Sequence, residues 1–502
     1  MPGKAAKHQT RTGLSSAAAL LKCGIVCWAV SAGGCAVGPD YIRPDLGLPA
    51  GYLPGNEAPA VKNDAQRFVE SHDVPAQWWL VYGSSKINNL VDMAFAQNPS
   101  VGEAIAALEQ AKWNVRAQEG AFFPQVGGEW ASTRQKLAAP EAAPSRYKGE
   151  IFTLHTPQVN VGFVPDVWGK NRRAVEALMS VADAQYYELE ATYLTLATNV
   201  VLAVIEEAAL NDQIAATRDI VSINKRIFGV LDKEFKAGTA SGLDVASQEA
   251  QLAQAQALLP PLEKAYAQQR NLIAVLTGNF PADADWAPTS LNDIRLARTL
   301  PVVVPSQLIE QRPDVRGAEA QVHAASAEIG VATANLLPQF GISGHVGSSA
   351  RLLSDLFTPQ SLVWSLTGSV MQPIFEGGTL RAQKHASEAA FLEAASVYRS
   401  TVLTAVQNVA DVLRAIEADN NAVRTALAYE KASEKALNMV ETELRAGQVA
   451  ISVLLTSQQN YQQARLSVIQ ARALLLADTA ALFQALGGGW WDREPSVIAA
   501  AE

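Results

Sequence analysis

Cysteine is almost missing from this chain. Its three copies, Cys23, Cys27 and Cys35, all stand near the N-terminus, so the remaining sequence can form neither a disulfide nor a thiolate metal site. The six histidines (His8, His72, His155, His323, His345, His385) are scattered and lack the paired spacing of metal ligands. Positive charge is in deficit as well. A net charge of −9 argues against nucleic acid or an anionic membrane surface as the main partner. Gly162 to Lys170 superficially suggests a phosphate loop, but six residues separate its glycines where that motif has four, and Asn171 stands where Ser or Thr would bind magnesium. No Gly-x-Ser-x-Gly, paired catalytic carboxylate or metal cluster is found. The chain therefore reads as no enzyme, with no cofactor and no bound metal, and energy for any transport must come from elsewhere.

Proline and glycine are missing over two long stretches. Lys170 to Lys236 holds no proline and one glycine, Gly229, and Thr379 to Ala446 holds neither. Apolar residues recur at threes and fours in both, through Val175, Leu178, Leu189, Val200, Ile214, Ile220 and Leu231 in the first and Val402, Val406, Val409, Leu413 and Ile416 in the second. Each is one stripe of an α-helix. A helix of that length is ~100 Å long at 1.5 Å per residue, whereas helices of globular domains average about three turns. Such a chain bridges a distance. The rods end alike, as Phe235-Lys236-Ala237-Gly238 and Leu444-Arg445-Ala446-Gly447. Glycine past a helix end with a basic residue in the last turn is a C-cap signature. Each cap leads into another helical pattern, so two very long hairpins are expected, with tips near Gly238 and Gly447.

The first 34 residues read as a signal peptide: Lys4, Lys7, Arg11 and Lys22 precede a short apolar run ending at Gly33-Gly34-Cys35. That run is shorter than the ~20 residues a bilayer requires. The placement of Cys35 resembles a bacterial lipobox, whose cysteine is acylated and becomes the new N-terminus. Ala32 replaces the usual leucine, and Ala36 fits delivery to the outer membrane. The alternative is a plain signal peptide with an incidental cysteine. An irregular segment follows, rich in proline and glycine, and then Trp78-Trp79 open a short helix as packing anchors. Residues 35–97 together form an N-terminal lipidated and equatorial region.

The rest is an internal duplication, 98–277 and 312–486, joined by a linker over 278–311 and followed by a tail over 487–502. Asn98-Pro99-Ser100-Val101 matches Arg312-Pro313-Asp314-Val315, and Phe122-Phe123-Pro124-Gln125-Val126-Gly127 matches Leu336-Leu337-Pro338-Gln339-Phe340-Gly341. Between short helix and rod, each half switches to period two. Strands are expected over 122–136, 151–166, 337–350 and 361–375. Leu362, Trp364 and Leu366 alternate with Val363, Ser365 and Thr367, and Val159, Val161 and Phe163 alternate with Asn160 and Gly162. Apolar against small polar describes a transmembrane barrel strand, although a soluble sandwich looks similar. Four strands cannot close a barrel, and open edges are not tolerated in hydrocarbon. Oligomerisation is then forced, and a trimer supplies about twelve strands. Two copies would reach only the minimum. The fold class expected is an α+β membrane protein.

The helices add up as well. Each return helix, Leu243 to Thr277 and Val453 to Leu486, is about half a rod, and the short helices 99–120 and 313–335 stacked end to end on them supply the rest. Pro260-Pro261 interrupts the first return helix. The glutamines Gln248, Gln251, Gln254, Gln458, Gln459, Gln462 and Gln463 suit a watery interior or simple solvent exposure.

Assembled, these motifs resemble the TolC-like outer-membrane efflux factors, lipoprotein (NodT-like) branch. The carriers are Gly33 to Tyr41, Trp78-Trp79, Asn98-Pro99, Arg312 to Val315, the Pro-Gln pairs and the Ala-Gly tips. The resemblance implies a homotrimer, its trimeric twelve-stranded β-barrel in the outer membrane continued by a long α-helical barrel that extends into the periplasm. It docks a periplasmic adaptor protein and an inner-membrane pump, commonly of the resistance-nodulation-division class, and passively exports drugs or other small molecules. Protein-secretion or metal-export channels and a periplasmic coiled-coil adaptor or scaffold are the alternatives. Relatives often carry aspartates after the second-repeat glycine as an acidic ring, whereas Gln448 to Thr456 holds no carboxylate here. Asp244 in the first repeat either caps its helix or lines the pore. The aperture is expected to be closed mainly by steric, apolar contacts of Val453 and Leu454, with Ser452 and Thr456 nearby.

Overall fold

Both proline-poor stretches are single helices in the computed structural model, which describes residues 36–49, 51–53, 66–70, 74–136, 151–283, 285–302 and 305–492. In chain order the elements are β1 (Arg67–Glu70), α1 (Ser85–Gln97), α2 (Pro99–Glu119), β2 (Gln125–Lys136), β3 (Ile151–Phe163), α3 (Lys170–Lys236), α4 (Gly242–Ala257), α5 (Leu259–Leu276), β4 (Thr299–Val302), α6 (Pro305–Gln311), α7 (Pro313–Ala334), β5 (Gln339–Ser348), β6 (Leu362–Met371), α8 (Thr379–Arg445) and α9 (Ile451–Ala485). Each half thus repeats a short helix, two strands, a helix of 67 residues and a return. The signal stretch and Cys35 lie outside the described residues. Contacts divide the chain into two units, each built from both halves: residues up to 42 with 112–181 and 322–393, and residues 43–111 with 182–321 and 394–502.

The first unit is organised by an antiparallel sheet of order β2-β3-β5-β6. Its two hairpins meet where β3 pairs with β5, Asn160 opposite His345 and Val161 opposite Gly344. β2 and β6 are the edges, and within the chain each has one neighbour. From β3 the chain turns through Pro165–Gly169 into α3. The Asp166 carboxylate accepts from the amides of Asn171 at 2.9 Å and Arg172 at 3.0 Å. That satisfies two orphan N–H groups of the helix start, so the glycine-bearing stretch is a strand-to-helix turn. The segment after Ala36 is strapped to this turn. The Val37 amide donates to the Trp168 carbonyl at 3.0 Å, and Arg173, 6% exposed, donates to Asp40 at 2.6 Å and Glu176 at 2.8 Å.

The second unit is helical. Its core begins where Trp78 stacks on Phe483 with ring centroids 5.5 Å apart, and a chain of edge contacts runs from Trp79 through Phe95 to Tyr193. Both tryptophans are buried, which makes them the packing anchors the sequence suggests. Along α8 the buried residues Tyr398, Val402, Ala405, Val409, Leu413, Ile416 and Asn420 follow the helical period. Both α3 and α9 contain windows apolar enough to cross a membrane, but 78% and 50% of those windows are buried, so much of that surface packs internally. Buried Glu207 accepts from Lys86 at 2.6 Å and Arg270 at 3.3 Å. Burial lowers the Lys86 pKa, and its bond to Glu207 works against that shift.

Short helices abut the ends of the return helices, as the length argument requires. Asn98, just before α2, donates through Nδ2 to the Leu276 carbonyl ending α5 at 2.8 Å. Arg312, just before α7, donates to the Ala485 carbonyl ending α9 at 3.0 Å. The glycine after each return helix makes the joint possible. Gly278 has φ +75° and a Cβ there would lie 2.4 Å from the Gln97 oxygen; Gly487 has φ +93° and would meet the Gln311 oxygen at 2.7 Å. The break in the first return falls at Leu258, before the prolines, because Pro260 and Pro261 sit in the first turn of α5, where a missing N–H costs nothing. The expected strands are also trimmed, ending at Phe163 and Met371 and starting at Gln125 and Gln339. The glutamines correct the reading further. Gln248 and Gln458 are buried and Gln251 is 9% exposed. Gln248 donates to the Asn224 side chain at 2.9 Å and Gln459 to Gln251 at 2.9 Å, so part of this surface joins helix to helix and faces neither lumen nor solvent.

Candidate functional site

Register decides which side chains share a face of the sheet, because opposed residues project to the same side and neighbours along a strand to opposite sides. From the pairings Trp130–Pro157, Val159–Val346 and Val346–Trp364, one face collects Val126, Trp130, Val159, Val161, Ile342, Val346, Leu362, Trp364, Leu366 and Val370. Trp130 is 60% and Trp364 73% exposed, a large apolar area without cover in the chain. From Glu129–Gln158, Asn160–His345 and His345–Ser365, the other face collects Gln125, Thr133, Thr156, Ser343, Thr367 and Ser369 as well. The alternation expected on β3 and β6 therefore extends to β5 and the first part of β2. Towards the loop between β2 and β3 it lapses, with Arg134, Lys136 and His155 on the apolar side and Phe152 and Leu154 on the polar side.

Two adjacent rows of the polar face are joined at Glu129. Gln158 and Asn160 each donate to Glu129 Oε2 at 3.1 Å. His345 Nδ1 shares a hydrogen bond of 2.9 Å with Ser365 Oγ. On the apolar face, nearer the loop between β2 and β3, His155 Nδ1 and Ser132 Oγ are paired at 2.8 Å. Sequence reading placed Glu129 within a strand without singling it out. Extending the period-two pattern along β2, with Gln125, Gly127, Ala131 and Thr133 on its side, would have found it.

At the hairpin tips the two repeats are built alike. Gly238 and Gly447 have φ +78° and +72°. The next amide of each, Thr239 and Gln448, reaches back to the carbonyls of Glu234 and Glu443 at 2.9 Å, closing the helix ends as C-caps. The returns differ. Ser241 and Asp244 form a capping box at α4, Ser241 Oγ accepting from the Asp244 amide at 3.1 Å, whereas α9 starts at Ala450 without a side-chain cap. Of the residues expected at the aperture, Ser452, Val453 and Thr456 are exposed. Leu454 is 2% exposed, since it points into a cleft of about 510 Å³ between the hairpins, together with Ile223, Ile227, Asp244, Glu441 and Arg445. The structure thus brings Asp244 and Leu454 together inside one chain and leaves Val453 outside.

Asp419 on α8 and Asp478 on α9 also meet. Burial first, then the hydrogen bond to Asp478 and its charge, push the Asp419 carboxyl up to about 7. No group of three or more His, Cys, Asp or Glu side chains among the described residues is arranged to hold a metal.

A model of the outer membrane efflux protein family matches residues 90–279 and 304–488. The chain is 26% identical over 421 residues to the pyoverdine export outer membrane protein OpmQ of Pseudomonas aeruginosa, covering 82% of this chain and 87% of that one. It is 27% identical over 482 residues to outer membrane protein OprJ of the same organism, covering 94% and 96%. Among solved structures it superposes on the CmeC outer membrane channel of Campylobacter jejuni with a TM-score of 0.84 at 21% identity, covering 93% of this chain and 98% of that one.

Proposed function

The chain belongs to the outer membrane efflux protein family, and from that premise we propose that three copies form one passive conduit of a tripartite efflux system. It is an outer-membrane efflux channel. The proposal adds the assembly: a barrel of about twelve strands, a helical barrel continuing it into the periplasm, a periplasmic adaptor, and an inner-membrane pump of the resistance-nodulation-division kind that supplies the energy. The single observation that carries it is the sheet of four antiparallel strands with β2 and β6 as open edges and one apolar face. Neither edge can be left unpaired in hydrocarbon, so β6 of one copy pairs with β2 of the next. Residues of α8 such as Val397 and Leu403, 55% and 63% exposed in the isolated chain, are covered by neighbouring helices in this arrangement. Acylation of Cys35 would place a lipid anchor next to Ala36, which packs against Gly169 below the sheet. The relative OpmQ is named for pyoverdine export, and the cargo proposed here is likewise a small molecule. Native mass spectrometry of the detergent-extracted protein should give a mass of three chains. A monomer that keeps its strand signal in detergent-free buffer would overturn the assembly.

A further inference from the structure

The polar face of the sheet carries one fixed charge. Of the side chains that register places on that face in the four described strands, Glu129 is the only carboxylate and none is Lys or Arg. The others are Gln, Asn, Ser, Thr, Ala, Gly and a few apolar residues, with His345. Arg351, beyond β5, stacks over the Phe152 ring at 4.2 Å, at the loop end of the same face. Arg134 and Lys136 belong to the opposite face.

Glu129 is also held. Two amides from β3, on Gln158 and Asn160, fix its Oε2. Its Oε1 accepts no hydrogen bond recorded among the described residues, and the residue is exposed. The row of Glu129 runs through Gln158, Gly347 and Val363, and the adjacent row through Gly127, Asn160, His345 and Ser365. Two neighbouring rows thus cross the sheet, and Asn160 ties them together at Glu129.

We infer that this band of two rows is a cation-selecting girdle across the lumen of the barrel, with Glu129 as the residue that sets the selectivity and small inorganic or organic cations as its ligands. The inference rests on the trimeric barrel, in which three copies place three carboxylates at one height around a lumen that the described strands otherwise leave without fixed charge. A ring of like charge between low-dielectric walls concentrates counter-ions by roughly ten-fold or more, and rings of acidic side chains select cations in pores generally. Two amide anchors per carboxylate keep the ring from folding away when a cation passes.

The full-length protein in a planar bilayer under a potassium chloride gradient tests this. Wild type should prefer potassium over chloride, and hexaamminecobalt(III) added on the side of the strand loops should block it. E129Q should bring the preference close to unity and weaken that block about ten-fold or more, and E129K should reverse the preference. Gly127 faces the same lumen one row away, with nothing within 4 Å of an added Cβ. G127C, modified by a cationic methanethiosulfonate after the channel has inserted, should lower the preference without any change during folding. Wild-type preference and block in E129Q, or an unaltered preference in modified G127C, overturns the girdle and leaves the barrel intact. A wild-type channel with no preference for cations overturns it as well. Failure of the wild type to form channels at all would instead remove the barrel on which the inference rests.

Discussion

Single residues carry charge where periodicity is silent. Asp419 and Asp478 are far apart in sequence, and nothing in the stripe of α8 or the pattern of α9 marks their meeting. An aspartate on either helix reads as a solvated face until packing is known. The same holds for Glu207, whose cations come from α1 and α5. Glu129 differs, since the strand period was sufficient to place it. The Asp419 pair makes a prediction whose sign follows from linkage. Its carboxyl goes from the ordinary 3.8 to about 7 on folding, so the folded state binds the proton more tightly. The stabilisation is complete below about pH 4 and is lost as pH rises through about 7. The midpoint of the helical circular-dichroism melt should fall between about pH 5 and 8, and Asp419→Asn, which keeps the hydrogen bond and removes the charge, should flatten that fall. Parallel slopes for the two proteins would show that the pair is not the cause.

Elements were the most legible scale. Both 67-residue helices and their glycine caps lie where the proline-free stretches and the Ala-Gly tips put them, because a helix continues until something removes a donor or demands a positive φ. Strand ends were read a few residues too long, since apolar residues of the turn, such as Val164 and Ile374, mimic strand positions. The buried glutamines were misread because polarity alone cannot tell water from a partner amide. The joints between short and return helices were foreseen from length, but their chemistry was not. That chemistry is testable. Gly278→Ala and Gly487→Ala each force a Cβ into a left-handed backbone within 2.4 Å and 2.7 Å of a carbonyl oxygen. The backbone alone should cost about 1–3 kcal/mol, lowering the melting midpoint. Gly102→Ala in α2, with open space around its Cβ, should raise stability by about 0.5–1 kcal/mol. Equal effects from all three would mean the joints bear no strain and the match of lengths is incidental.

If three copies assemble as proposed, two places can set what passes: the girdle of the strands and the hairpin tips. They differ in chemistry. The tip residues expected to form a steric closure divide between two surfaces: Leu454 lines the cleft within the chain, and Val453, with Ser452 and Thr456, is exposed. Asp244 is engaged in its capping box. An aspartate so placed gains about 0.3–1 kcal/mol from the helix dipole, which accounts for it without a role in the pore. If the tips close by apolar contact, they resist ions by dewetting and offer no anionic site. Multivalent cations should then act from one side only. Hexaamminecobalt(III) should block from the loop side, by reaching Glu129 through the strands, and have little effect from the periplasmic side. Val453→Ser, which wets the constriction without adding charge, should raise the resting conductance and leave that asymmetry in place. Single-channel recording with the cation added to each side in turn reads both. Strong periplasmic block that Asp244→Asn abolishes would overturn the steric closure and place an acidic ring at the tip, held by the first repeat alone.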